Sequence, residues 1–177
     1  MEKTVFVFLL YSLIPNYIFG NGCDSIEFKT DCITRVYRSQ IGVTETGGNN
    51  QGPEIASYLK TTGFDYPVPW CAAFINWCFE TCQLEGAGSA WSPSWFPQSK
   101  TIDITTTEPS PGDVGGIYFA SKKRIAHVLF IDEWPQGEKW FKTVEGNTNS
   151  VGSRDGDGVR RRIRLKTSLH KVSRWIN

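Results

Sequence analysis

The sequence predicts an α+β domain in which N-terminal helices pack on a C-terminal antiparallel β-sheet, and three observations lead there. Apolar residues recur at helical spacing through the first half of the chain. Four β-rich runs separated by short polar or glycine-rich turns occupy the second half, and no repeat or linker divides the two. The 177 residues suit one domain, and with 40% hydrophobic, 14% aromatic and 21% charged residues they can bury a sizeable core. That balance excludes disordered, coiled-coil and low-complexity classes. A formal charge of +1 supplies no field for nucleic acid, which is not expected as a partner.

The elements follow in chain order. Residues 1–22 carry Lys3, an apolar run from Val5 to Ile14, the helix breaker Pro15 and the small-residue triplet Gly20-Asn21-Gly22. The run is shorter than the roughly 17–25 apolar residues that span a bilayer. It reads as a secretory signal peptide, which implies a secreted or periplasmic protein without stable membrane insertion and leaves 23–177 as a single domain. A buried N-terminal helix and a lipid anchor at Cys23 are the alternatives.

Ile33, Val36, Tyr37 and Ile41 give a first helix over Ile33 to Val43, ended by Thr46-Gly47-Gly48-Asn49-Asn50. Gly52-Pro53-Glu54 opens a second, with Ile55, Ala56, Tyr58 and Leu59 as its stripe and Gly63 as its stop. Pro67-Val68-Pro69 blocks helix until Trp70, after which a third runs from Cys71 to near Gly86. At about 100° per residue, Phe74, Ile75, Cys78 and Cys82 share the face of Cys71. Gly86 to Pro111 is a long structured loop that could hold one turn of helix. Strands are expected over Asp113 to Ala120, Ile125 to Trp134, Lys139 to Thr148 and Val159 to Lys166.

Cys71 stands at a helix N-terminus, where the macrodipole and unpaired N–H groups favour thiolate and could line an oxyanion hole. His127 and His170 are the two histidines that could serve as base. His127 lies inside an apolar strand; His170 lies in a polar connection. On the next strand Glu145 and Asn147 are two apart, which puts both on one face of the sheet, where either could orient an imidazole. A satisfied core histidine and a strand end rolling into a turn are the plain alternatives.

Five phrases in order then carry a resemblance: Pro69-Trp70-Cys71-Ala72-Ala73-Phe74-Ile75-Asn76-Trp77-Cys78, Pro111-Gly112-Asp113-Val114, Ala126-His127-Val128, Val144-Glu145-Gly146-Asn147-Thr148-Asn149 and Asp155-Gly156-Asp157-Gly158-Val159 with Arg161 and Arg162. The chain resembles the CHAP family of cysteine, histidine-dependent amidohydrolases/peptidases from about Val36 to Arg164. The resemblance implies a papain-like fold, a single CHAP-like catalytic domain over 23–177, delivery to the cell wall and cleavage of amide bonds in peptidoglycan. It implies Cys71 as nucleophile, His127 as base, Glu145 as orienter and Asn147 as a fourth polar member. Two departures stand out, Gly115-Gly116 where relatives usually have large aliphatics and Leu129 where they often have a small residue. By alternation Leu129 shares the face of His127 and would narrow the substrate path. Trp70, Leu129, Trp91 and Trp95 are the candidates for substrate contact.

The function expected is a monomeric, cofactor-free peptidoglycan hydrolase, as an endopeptidase or an N-acetylmuramoyl-L-alanine amidase. A non-catalytic, disulfide-stabilised wall-binding module and a cysteine peptidase acting on proteins are its rivals. Cys71, Cys78 and Cys82 lack the spacing of a zinc site, and Asp155-Gly156-Asp157-Gly158 reads as a tight hairpin turn in preference to a calcium loop. Arg160 to Arg164 divide between two faces of a strand and read as solvated edge protection. With Cys71 free, Cys23, Cys32, Cys78 and Cys82 could form two disulfides in three connectivities, or remain buried thiols.

Overall fold

The structure, a computed structural model, describes residues 25–149 and 156–177. The signal peptide assigned to 1–22, Cys23 and residues 150–155 of the Asp155–Gly158 loop region lie outside the described residues. Three helices precede the six strands that form one antiparallel sheet, the α+β arrangement expected.

Helix α1 spans Ile26–Ser39 because the Ser25 side chain caps it, accepting from the Phe28 N–H at 3.2 Å, with Glu27 in the first turn. It therefore starts seven residues before the expected Ile33 and buries Ile33, Thr34 and Tyr37. Helix α2 spans Pro53–Lys60, opened by proline and burying Ile55, Tyr58 and Leu59. Helix α3 spans Cys71–Thr81 and ends before the expected Gly86, since Gln83 turns left-handed (φ 55°) and the Leu84 N–H closes on the Phe79 carbonyl at 2.9 Å. Cys82 at its end is bonded to Cys32 on α1, which closes a loop across 50 positions and stabilises the fold by roughly 4 kcal/mol. Cys78 is a fully buried free thiol in the core, so of the pairings considered the described residues contain one. Ser92–Trp95 forms a single 3-10 turn in the long loop.

The strands are β1 (Thr101–Ile102), β2 (Val114–Phe119), β3 (Arg124–Glu133), β4 (Trp140–Thr148), β5 (Gly158–Leu165) and β6 (Lys171–Ser173), in the order β1-β6-β2-β3-β4-β5. Val128, Phe130 and Val144 face the helices and join the main core with Phe74, Phe79 and Trp95. Leu129, Ile131, Phe141 and Val172 form a smaller cluster on the other face. Successive residues of β3 thus alternate between the two clusters, although both of its faces are buried.

Gly115 pairs with Leu129 across β2 and β3, and a Cβ on Gly115 would lie 2.7 Å from Leu129 Cδ1 and 2.7 Å from Leu169 Cδ2. Gly116 similarly leaves room for Phe96, whose Cζ would stand 2.6 Å from an added Cβ. The two sequence departures are therefore one exchange, a large residue on β3 filling the space that glycine leaves on β2. Gly115→Ala is expected to destabilise the protein by about 1–3 kcal/mol through overpacking. In a double-mutant cycle read by urea unfolding, Gly115→Ala with Leu129→Ala should cost less than the sum of the two single changes. Additive costs would contradict the exchange.

Candidate active site

Cys71 is the first residue of α3. No side chain caps this helix, and Trp70 before it is fixed by donating from Nε1 to Glu45 Oε1 at 2.8 Å. The thiol of Cys71, 5% exposed, lies 3.7 Å from the Ser92 hydroxyl, and the His127 side chain and the Val128 N–H act on it electrostatically. His127 comes from β3, and its Nε2 is 2.8 Å from Glu145 Oε2 on β4. A buried carboxylate accepts there, so the proton sits on Nε2 and Nδ1 is the nitrogen left for the thiol. Glu145 also accepts from Thr143 Oγ1 at 2.6 Å, and Arg164 on β5 grips both its oxygens, Nε and Nη2 each at 2.5 Å. A helix tip and three adjacent strands thus build a single line, Cys71, His127, Glu145, Arg164, in which the last three members are joined by hydrogen bonds and Cys71 is linked to His127 electrostatically.

The electrostatics follow from these contacts. Burial opposes the Cys71 thiolate, but hydrogen bonding and charge from His127, with Ser92 and the Val128 N–H, outweigh it and hold the thiol below its ordinary value. Burial likewise opposes the His127 cation, and Cys71 and Glu145 reverse that, raising it to about 9. Burial would raise Glu145, yet Arg164 and His127 hold it well below the usual carboxylate range. Every one of these shifts favours a thiolate beside an imidazolium over a neutral pair.

The remaining predicted site residues fall elsewhere. A β-bulge between Glu145 and Thr148 breaks the two-residue alternation, and Asn147 turns left-handed (φ 54°). Its amide donates to Asn50 Oδ1 at 2.9 Å and Glu45 Oε1 at 3.5 Å, away from His127. Through Glu45 it supports Trp70, and so the start of α3. Trp70 and Trp95 are fully buried, Trp95 packing on Phe79 and Trp175, and neither is open to substrate. Leu129 shares the face of His127 but is fully buried in the smaller cluster, so it lines no substrate path. Trp91, 52% exposed, lines a cleft of about 320 Å³ that reaches Cys71, with Phe64, Ser92, Lys122 and Arg124 among its walls. His170 stacks on exposed Tyr118.

Three neighbours of the pair were not singled out in the sequence. Ser92 lies in a loop with no signal beyond its turn composition. Thr143 is two residues before Glu145, which in a strand is the same face, and that spacing could have found it. Arg164 belongs to the arginine run read as solvated edge protection. The structure corrects that reading: Arg164 holds Glu145, Arg161 lies 3.1 Å from Asp132, and Arg160 lies 3.1 Å from Asp157.

A family model of the CHAP domain matches residues 61–147, a span that includes Cys71, His127 and Glu145 and stops short of Arg164. No curated protein matches the sequence. Two solved structures of the Resuscitation Promoting Factor Interacting protein RipA, one mutated at a histidine and the other at a glutamate, share the fold at 19% and 17% identity, each with a TM-score of 0.53. Each likeness covers 86% of this chain and 64% of the other, so the chain spans less than two thirds of the length of those structures. The part of the chain that matches the CHAP domain, residues 61–147, is thus the part that carries the helix tip and the two strands that assemble the site.

Proposed function

We propose that the protein is an exported cysteine-dependent hydrolase of peptidoglycan, cleaving an amide bond of the cell wall as an endopeptidase or an N-acetylmuramoyl-L-alanine amidase. The observation that carries this reading is the buried Cys71–His127–Glu145 line at the foot of an open cleft. A wall-binding module has no use for a thiol held below its ordinary value beside an ionised histidine. The match of residues 61–147 to the CHAP domain of cysteine, histidine-dependent amidohydrolases and peptidases supports the substrate class.

In this reading the Cys71 thiolate attacks the amide carbonyl, and the developing oxyanion is held by the uncapped N–H groups of α3. Imidazolium His127 gives its Nδ1 proton to the departing amine as the C–N bond breaks. Neutral His127 then takes a proton from water, whose hydroxide releases the acyl group as a carboxylate and restores the thiolate. Glu145 stays ionised throughout and holds the Nε2 proton in place.

The test is digestion of purified sacculi followed by mass spectrometry of the soluble products. Products with a new carboxylate and a new amine that together have gained one water per amide cleaved, absent with Cys71→Ala, are expected. Binding to sacculi with no amide cleaved would overturn the hydrolase in favour of a wall-binding module.

A further inference from the structure

The cleft that reaches Cys71 is asymmetric in charge: Lys122 and Arg124 line it and no acidic residue does. Neither cation is in an ion pair among the described residues, although Arg160, Arg161, Arg164 and Arg174 each have a carboxylate partner. Arg124 lies with its guanidinium carbon 3.9 Å from the centre of the Trp91 ring, and Nη1 donates to the Ile125 carbonyl at 3.0 Å. The contact over the ring and the bond to Ile125 hold the guanidinium, and its remaining N–H groups make no hydrogen bond with the described residues. A planar cation with a fixed orientation and free donors along its edge is matched to a carboxylate, which it can bind through two parallel hydrogen bonds.

Its place relative to the chemistry is set by the chain. Arg124 precedes His127 by three residues on β3, which is about 10 Å along a strand. Trp91 adjoins Ser92, whose hydroxyl lies 3.7 Å from Cys71 Sγ. At roughly 3.5 Å per extended residue, the cations face a substrate group two or three residues from the scissile amide.

We infer that Lys122, Arg124 and Trp91 form a carboxylate subsite, which selects peptides bearing a free carboxylate two or three residues from the cleaved bond over the same peptides bearing a carboxamide. The inference rests on the hydrolase reading for its substrate class, but binding tests it apart from turnover. The probes are two synthetic wall stem peptides that differ in one group, an α-carboxylate or its carboxamide at the glutamyl position, titrated into Cys71→Ala protein by calorimetry. The free acid should bind roughly tenfold more tightly, as expected for a charged hydrogen-bonded contact in a partly open cleft. That ratio should fall towards one in Arg124→Gln, take an intermediate value in Arg124→Lys, and shrink with added salt. Lys122→Gln, a change at an exposed position, should reduce it without touching the fold. Equal affinity for the two peptides, no binding of either, or a preference that survives both Arg124→Gln and Lys122→Gln would overturn the subsite. Failure of the intact enzyme to cleave either peptide counts against the hydrolase reading and leaves the binding ratio to decide the subsite.

Discussion

Cys71→Ala should leave no measurable amide hydrolysis, and His127→Ala should lower kcat/KM by on the order of 10²–10⁴-fold, the range that a general acid–base contributes. The two losses have different origins. Without Cys71 there is no atom to form the acyl-enzyme, so no covalent route remains. Without His127 the nucleophile persists, but burial then governs the thiol and pushes it back up, and the leaving amine has no proton donor. Hydrolysis assayed by amine release distinguishes them, because the residual rate of His127→Ala should rise steeply with pH as the lone thiol ionises. Wild-type activity should fall instead as pH rises through about 9, where His127 loses its proton. Near-normal turnover by Cys71→Ala would contradict the mechanism outright.

Glu145→Ala is expected to damage fold and catalysis together. The carboxylate is fully buried, with Arg164 on both oxygens, and removing one member of such a pair leaves a charge without compensation, at a cost of about 3–5 kcal/mol. Glu145→Gln keeps the shape and loses the charge, so it should destabilise less while still lowering the activity, since the imidazolium loses its counter-charge. Because Glu145 is held below its ordinary value, the stability it confers is present above the ordinary carboxylate value of about 4.3 and is lost as pH falls below it. Urea unfolding of wild type and Glu145→Gln should therefore differ at pH 7 and converge under strongly acidic conditions. A constant difference across that range would show that the carboxylate acts by packing alone.

Much of this architecture was legible in the residues, and the parts that were not have physical reasons. The apolar stripe of α2 and the β-rich apolar run of β3 are strong signals, and both elements lie within about two residues of where the sequence puts them. The first turns of α1 carry exposed side chains, and Ser25 alone marks their start. Strands β1 and β6 are two and three residues long, too short for a period of two to register. At the site, Cys71, His127 and Glu145 could be picked out because each contradicts its setting: a thiol at a helix tip, and two polar groups in apolar strands. Asn147 met the same criterion, but at a bulge its amide turns to Asn50 and Glu45, and bulges leave no mark in a pattern of alternation. Arg164 could not be separated from its neighbours in an arginine run: the register of β5 against β4 sets Arg160 opposite Glu145 and Arg164 opposite Phe141, and the side-chain contacts alone show that Arg164 reaches both Glu145 oxygens.

The central claim, a thiolate–imidazolium pair at Cys71 and His127, is tested most directly by pH-dependent alkylation with iodoacetamide, the modified cysteine being located by mass spectrometry in wild type and His127→Ala. Cys71 should react rapidly well below the free-cysteine pKa of about 8.5, His127→Ala should move that reactivity to higher pH, and buried Cys78 should stay unmodified in both. A Cys71 that is inert, or whose reactivity rises only near 8.5 and is unchanged by His127→Ala, would contradict the pair and the catalysis built on it.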